Sequence, residues 1–152
     1  MNAYGAGTYR TANVTTTDQG RLILICYDVA IKSCVMAKEF IGQKKTAERA
    51  KSIYKAQDAV TELMVSLNME KGGVIAKKLY ALYDYFNWRL SEANVRQDTR
   101  MLDEVLNHLR SLREAWVVAI ENVRRGAMPA PAPAAVAPAA PRVQNLSLGL
   151  VG

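Results

Sequence analysis

Residues 99–125 read TRMLDEVLNHLRSLREAWVVAIENVRR. Leu102, Val105, Leu109, Leu112, Trp116, Ala119 and Val123 alternate spacings of three and four without a miss. That recurrence puts all of them on one stripe of an α-helix. It is also the period at which helices pack into left-handed bundles. Asp98, just before the stretch, can accept a hydrogen bond from a free backbone N–H of the first turn, and Gly126 stops the helix. An amphipathic helix of this kind must bury its stripe against other helices, so the remaining sequence is read for partners.

Working back, a third helix is expected from about Val74 to Ala93, with the stripe Ile75, Leu79, Leu82, Phe86, Leu90 and Ala93. Beside that stripe lie Tyr80, Tyr83, Tyr85 and Trp88. Asn94 to Gln97 reads as a short turn, and Asn68 to Gly73, with its Gly72–Gly73 pair, as the preceding break. The second helix is expected over residues 46–67, with Ala50, Ile53, Gln57, Val60, Met64 and Leu67 inward. Gln57 is the polar member of that stripe and reads as a core amide whose partners lie on a neighbouring helix. The first helix is expected over 18–41, with Asp18 as its cap and Gly42 as its end. It carries two adjacent stripes. One is Ile23, Tyr27, Ala30, Cys34, Ala37 and Ile41, and the other is Leu22, Cys26, Val29, Ser33, Met36 and Phe40. A helix on the outside of a bundle normally shows one, so this helix is either central or keeps part of its face for a partner. Four amphipathic helices joined by short breaks predict an all-α, antiparallel up-down four-helix bundle over residues 18–126.

The two ends read differently. Residues 1–17 have no helical period and are expected to be a flexible arm, with Tyr4, Tyr9 and Val14 as its docking residues. Residues 127–152 open with an almost unbroken Ala/Pro run, which forbids a continuous helix, and are expected to be a disordered tail. Leu146, Leu148 and Leu150 near its end are the alternative, a docking segment for the bundle's own groove or for export machinery.

Composition narrows the function classes. The chain has 152 residues and a formal charge of +6. Its length suits one domain. It has no apolar run of about 18 residues, so no membrane insertion is expected. Met1 to Thr17 lacks a basic cluster followed by an apolar region, so no cleaved secretory signal is expected, and the location expected is cytoplasmic. Cys26 and Cys34 would stand about 12 Å apart along one helix, beyond the roughly 7 Å that a disulfide spans. Both fall on the apolar side, where burial makes a thiol a poor nucleophile. His108 is the chain's single histidine, so a paired Glu-x-x-His metal site cannot be built. Gly72–Gly73 lacks the spacing of a phosphate loop. No catalytic group, metal or cofactor is expected. The basic charges are scattered around the helices and form no dense run, so nucleic acid is not an expected partner.

A set of short strings, in order, resembles the flagellar secretion chaperone family FliS. The strings are Leu-x-x-x-Cys-Tyr-Asp-x-Ala-Ile at Leu22 to Ile31, Lys55-Ala56-Gln57-Asp58, and Leu67-Asn68-Met69-Glu70-Lys71-Gly72-Gly73. Ile75-Ala76-Lys77, Leu82-Tyr83-Asp84-Tyr85, Arg89-Leu90, Glu92-Ala93-Asn94 and Leu112-Arg113-Glu114-Ala115-Trp116 follow. The resemblance covers roughly residues 4–125. One departure stands at the first helix. The family usually opens it with Ser/Thr-Pro and acidic residues, whereas Asp18 is followed here by Gln19, Gly20 and Arg21, so the first turn is expected to fray. The Ala/Pro tail lies outside the resemblance.

The resemblance implies a cytoplasmic export chaperone. Its client would be the disordered C-terminal segment of flagellin, held against premature polymerisation and kept fit for export. The flagellar export apparatus is a further implied partner. The implied contacts are Tyr9 and Val14 of the arm, Ile23, Tyr27 and Ile31 of the first helix, Tyr80 and Tyr83 of the third, and Val117, Val118 and Ile120 of the fourth. Tyr27 and Tyr83 also lie at core-edge spacing and read as core side chains. Two other functions stay open: a basic helical regulator that binds nucleic acid, and a structural bundle that self-associates through the first helix. The oligomeric state is open between monomer and weak dimer.

Overall fold

The computed structural model describes residues 16–126. The arm up to residue 15 and the tail from 127 lie outside the described residues, and with them Tyr4, Tyr9, Val14 and the tail leucines. Four helices follow one another: α1 Thr16–Gly42, α2 Thr46–Ser66, α3 Met69–Arg96 and α4 Thr99–Arg124. Among the described residues there is no strand.

The short connections make sequence neighbours antiparallel, and the helices close a ring. α1 packs on α2 most extensively, then on α4, while α3 packs on α2 and, least, on α4. Three contacts between α1 and α4 show the antiparallel register. Gly20 meets Ile120, Asp28 pairs with Arg113, and Lys38 pairs with Asp103, so contacts step back along α4 as α1 advances. Buried small residues on α1 and α2, among them Ala30, Ser33, Ala37, Ser52, Ala56 and Ala59, let those two backbones approach closely. The stripe of α4 is buried from Leu102 to Ala119, and Val123 is half-buried at the end.

Several boundaries differ from the expected ones. α1 does not fray at Gly20 and Arg21: it runs unbroken from Thr16, so Asp18 lies in its first turn instead of capping it. Gly20 is buried, and a Cβ there would lie 3.0 Å from the Ile120 side chain. The missing methyl lets α4 seat against α1, and that packing offsets glycine's weak helix preference. α1 ends at Gly42, as expected. The chain turns at Lys44 (φ 59°), where Lys44 N–H bonds to Ile41 O and Lys45 N–H to Phe40 O.

α3 begins five residues before Val74. The Asn68 side chain caps it by accepting from Lys71 N–H at 2.9 Å. The break expected at the glycine pair survives as a kink inside the helix at Gly73 (φ 53°, ψ −130°), a conformation open to glycine but not to a residue with a Cβ. At Gly72 a Cβ would stand 2.5 Å from that of Ala76. The turn expected over Asn94 to Gln97 is shorter, since α3 continues to Arg96 and Gln97 (φ 54°) closes it. Asp98 then caps α4, accepting from Arg100 N–H at 2.8 Å.

On α2 the buried face is turned toward α1 from the expected stripe. It comprises Arg49, Ser52, Ile53, Ala56, Ala59, Val60 and Leu63, while Ala50, Gln57, Met64 and Leu67 are half-buried. Gln57 finds its partners on α3, donating to the Asn87 carbonyl at 2.9 Å and to Ser91 Oγ at 2.8 Å.

Candidate functional site

The interior has a polar centre. Tyr27 of α1 and Tyr83 of α3 are both buried, and their hydroxyls hydrogen-bond each other across the bundle. The rings meet edge to face, with centroids 6.4 Å apart. Burial raises the pKa of both phenols, that of Tyr83 to about 12. The Trp116 indole N–H lies beside the pair. It makes no hydrogen bond of ordinary geometry, yet it favours the ionised phenols enough to oppose part of the burial effect.

Nothing nucleophilic or metal-binding is assembled among the described residues. Cys34 is buried, and burial pushes its thiol up to about 12. Cys26 is half-buried. His108 stacks on Phe86, with ring centroids 5.8 Å apart. Glu104 is turned toward α3, where it accepts from Tyr85 Oη at 2.6 Å and from Arg89 Nε at 2.8 Å. Among the described residues no group of three or more metal-ligating side chains occurs. No helix of the described residues is long and apolar enough to cross a membrane.

What the bundle does offer is apolar surface. The residues expected as contacts divide by burial. Ile23, Tyr27 and Tyr83 are interior side chains and present no surface to a partner in this conformation. Ile31 is half-buried. Ile120 is half-buried too, with its side chain over Gly20, so it joins α1 to α4. Tyr80, Val117 and Val118 are exposed by 46%, 39% and 54%, which leaves these three free to meet another molecule. Tyr80 stands on α3 and the two valines on α4.

The second stripe of α1 is half-used. Leu22, Cys26, Val29 and Phe40 are half-buried, Ser33 is buried and Met36 is exposed. Ile25 on the same outward side is also exposed. Sequence reading missed further open apolar residues: Tyr54 and Val65 on α2, and Val74 and Val95 on α3. Trp88 had been singled out only as a member of the aromatic set, and it is half exposed. An isolated valine or tyrosine carries no periodic signal when the main stripe of its helix is already accounted for.

The model of the family described as "Flagellar protein FliS" matches residues 1–123. The chain belongs to the FliS family. It is 32% identical over 125 residues to the flagellar secretion chaperone FliS of Bacillus subtilis (strain 168), covering 82% of this chain and 91% of that protein. It is 33% identical over 117 residues to the flagellar secretion chaperone FliS of Salmonella typhimurium, covering 76% and 86%. The protein of the same name from Campylobacter jejuni is 30% identical over 114 residues, covering 75% and 88%. The FliS match takes in the N-terminal arm and all but the last residue of α4, and the Ala/Pro tail lies beyond it.

Proposed function

We propose that this chain is a cytoplasmic flagellar secretion chaperone. Its client is the disordered C-terminal segment of flagellin, which it holds against premature polymerisation and delivers to the export apparatus. The FliS family match over residues 1–123 carries this reading. The distribution of apolar surface supports it. A disordered client loses conformational entropy when it binds, so useful affinity needs a broad surface rather than one deep pocket. The bundle has a well-packed interior and open apolar side chains on all four helices. Short amphipathic helices of a client suit such a surface.

Within this reading Tyr80, Val117 and Val118 are direct contacts, with Ile31 and the outward stripe of α1 beside them. Ile23, Tyr27, Tyr83 and Ile120 hold the helices that carry those contacts. Tyr9 and Val14 of the arm cover a groove until the client displaces them. The test is co-purification of flagellin with the full chain, with and without flagellin's C-terminal segment. Capture that requires the segment is the expected result. Equal capture of flagellin lacking it overturns the reading.

A further inference from the structure

The channel between α3 and α4 is filled unevenly along its length. Of the neighbouring helix pairs, this one packs least. Toward the start of α4 the filling side chains are large: Tyr85 and Arg89 reach Glu104, and Phe86 stacks on His108. The same stripe of α4 continues at spacings of three and four through Ser111, Ala115 and Val118. The two helices are antiparallel, so these positions face the early part of α3, around Val74 and Ile75. Serine and alanine leave there the room that glutamate and histidine take up at the other end. Ile75 and Ala115 line the channel, half-buried against the core. Val74 and Val118 stand at its edges, exposed by 67% and 54%.

We propose that the chain's own tail fills this channel, with Leu146, Leu148 and Leu150 against Ile75, Ala115 and Val118. Position and length choose this occupant. The tail follows Gly126 at the C-terminal end of α4, and Val118 and Ser111 lie about 12 and 22 Å back along that helix. Nineteen residues separate Gly126 from Leu146. A flexible linker of that length averages about 25 Å from end to end. A tether matched to its span holds the segment at roughly millimolar effective concentration. A contact too weak to hold a free peptide is therefore populated within one molecule. The tail's chemistry suits an apolar channel, since Arg142 is its one charged residue. Leucines at every second position share one face of an extended chain, whereas on a helix they would scatter around it. The docking itself does not depend on the client. Its consequence rests on the function proposed above: the docked tail covers Val118, so a flagellin segment must displace it, and the tail acts as a built-in competitor.

Hydrogen exchange of the full chain tests the docking. The variant carries Leu146→Ser, Leu148→Ser and Leu150→Ser together, which leaves every residue of the bundle in place. Amides of residues 74–82 and 111–118 should exchange about tenfold faster in the variant than in the natural protein, if docking at millimolar effective concentration has a dissociation constant of about 0.1 mM. Amides of α2 should be unchanged. Val74→Glu, at the edge of the channel, is the second variant and should lose the same protection at residues 111–118 while keeping the natural melting temperature. The protection should be the same at all protein concentrations. Equal exchange in the natural chain and the triple variant, protection lost from α2 instead, or a Val74→Glu protein protected as before overturns the proposal. So does protection that fades on dilution, since the tail would then come from another molecule. Calorimetric titration with flagellin's C-terminal segment tests the competition: the triple variant should bind about tenfold more tightly than the natural chain. Equal affinity overturns the competition. A segment that binds neither protein overturns the proposed function, and the exchange result still decides the docking.

Discussion

Replacing Tyr27 and Tyr83 by Phe, singly and together, tests how the centre of the bundle is held. Each hydroxyl has the other as its partner, in a site closed to water. Tyr27→Phe leaves the Tyr83 hydroxyl buried without that partner, and Tyr83→Phe does the same to Tyr27. An unsatisfied buried polar group costs about 1–3 kcal/mol. The indole N–H of Trp116, beside both, can donate but cannot accept, so it leaves the surviving O–H proton without an acceptor. The double variant removes both hydroxyls and so removes the unpaired group as well. Its cost should fall below that of either single variant. The two effects are therefore expected to be strongly non-additive, with a coupling of about 1–3 kcal/mol. At roughly 4 °C per kcal/mol for a domain of this size, each single variant melts about 4–12 °C early, and the double variant melts close to the natural protein. Thermal unfolding followed by helix circular dichroism measures all four proteins. A double variant that melts lower than both singles, by the sum of their shifts, refutes the reasoning, because it would mean that the hydroxyls act separately.

The same tyrosines set a pH dependence. Their folded pKa values lie above the ordinary value near 10, that of Tyr83 at about 12, and Cys34 is likewise raised to about 12. The unfolded chain therefore binds fewer protons than the folded one in this range, and stability should fall as pH rises from about 9 to 12. A melting temperature that is level through that window contradicts this, and the Tyr27→Phe, Tyr83→Phe double variant should show a shallower fall. Trp116→Ala, which empties the middle of the α4 stripe, should cost about 3–5 kcal/mol by denaturant titration; an unchanged midpoint would place the indole outside the core. Gly73→Ala puts a Cβ on a φ of 53° and should cost about 1–3 kcal/mol, whereas a stabilised variant would show that the kink straightens into helix.

The helix count, the all-α class and most of the core were legible from periodicity alone. A stripe such as Leu102 to Ala119 can satisfy its apolar side chains only against other helices, and water excludes the alternative. The caps at Asn68 and Asp98 had local chemistry to announce them, although only Asp98 was read as a cap. Tertiary contact decided the rest. The first turn was expected to fray at Gly20 and Arg21 because the proline and acidic residues that suit a helix start are missing there, yet Gly20 lies where Ile120 of α4 needs the room of a missing methyl. The buried face of α2 turned because close packing on α1 selected the small residues Ser52, Ala56 and Ala59 over the larger ones beside them. Burial also parted the expected contact residues, drawing Ile23, Tyr27 and Tyr83 inward while leaving Val117 and Val118 open. Apolar side chains of core and surface are chemically alike, so sequence determined which residues are apolar and on which stripe they recur. Only the positions of the neighbouring helices determined which of those stripes were covered.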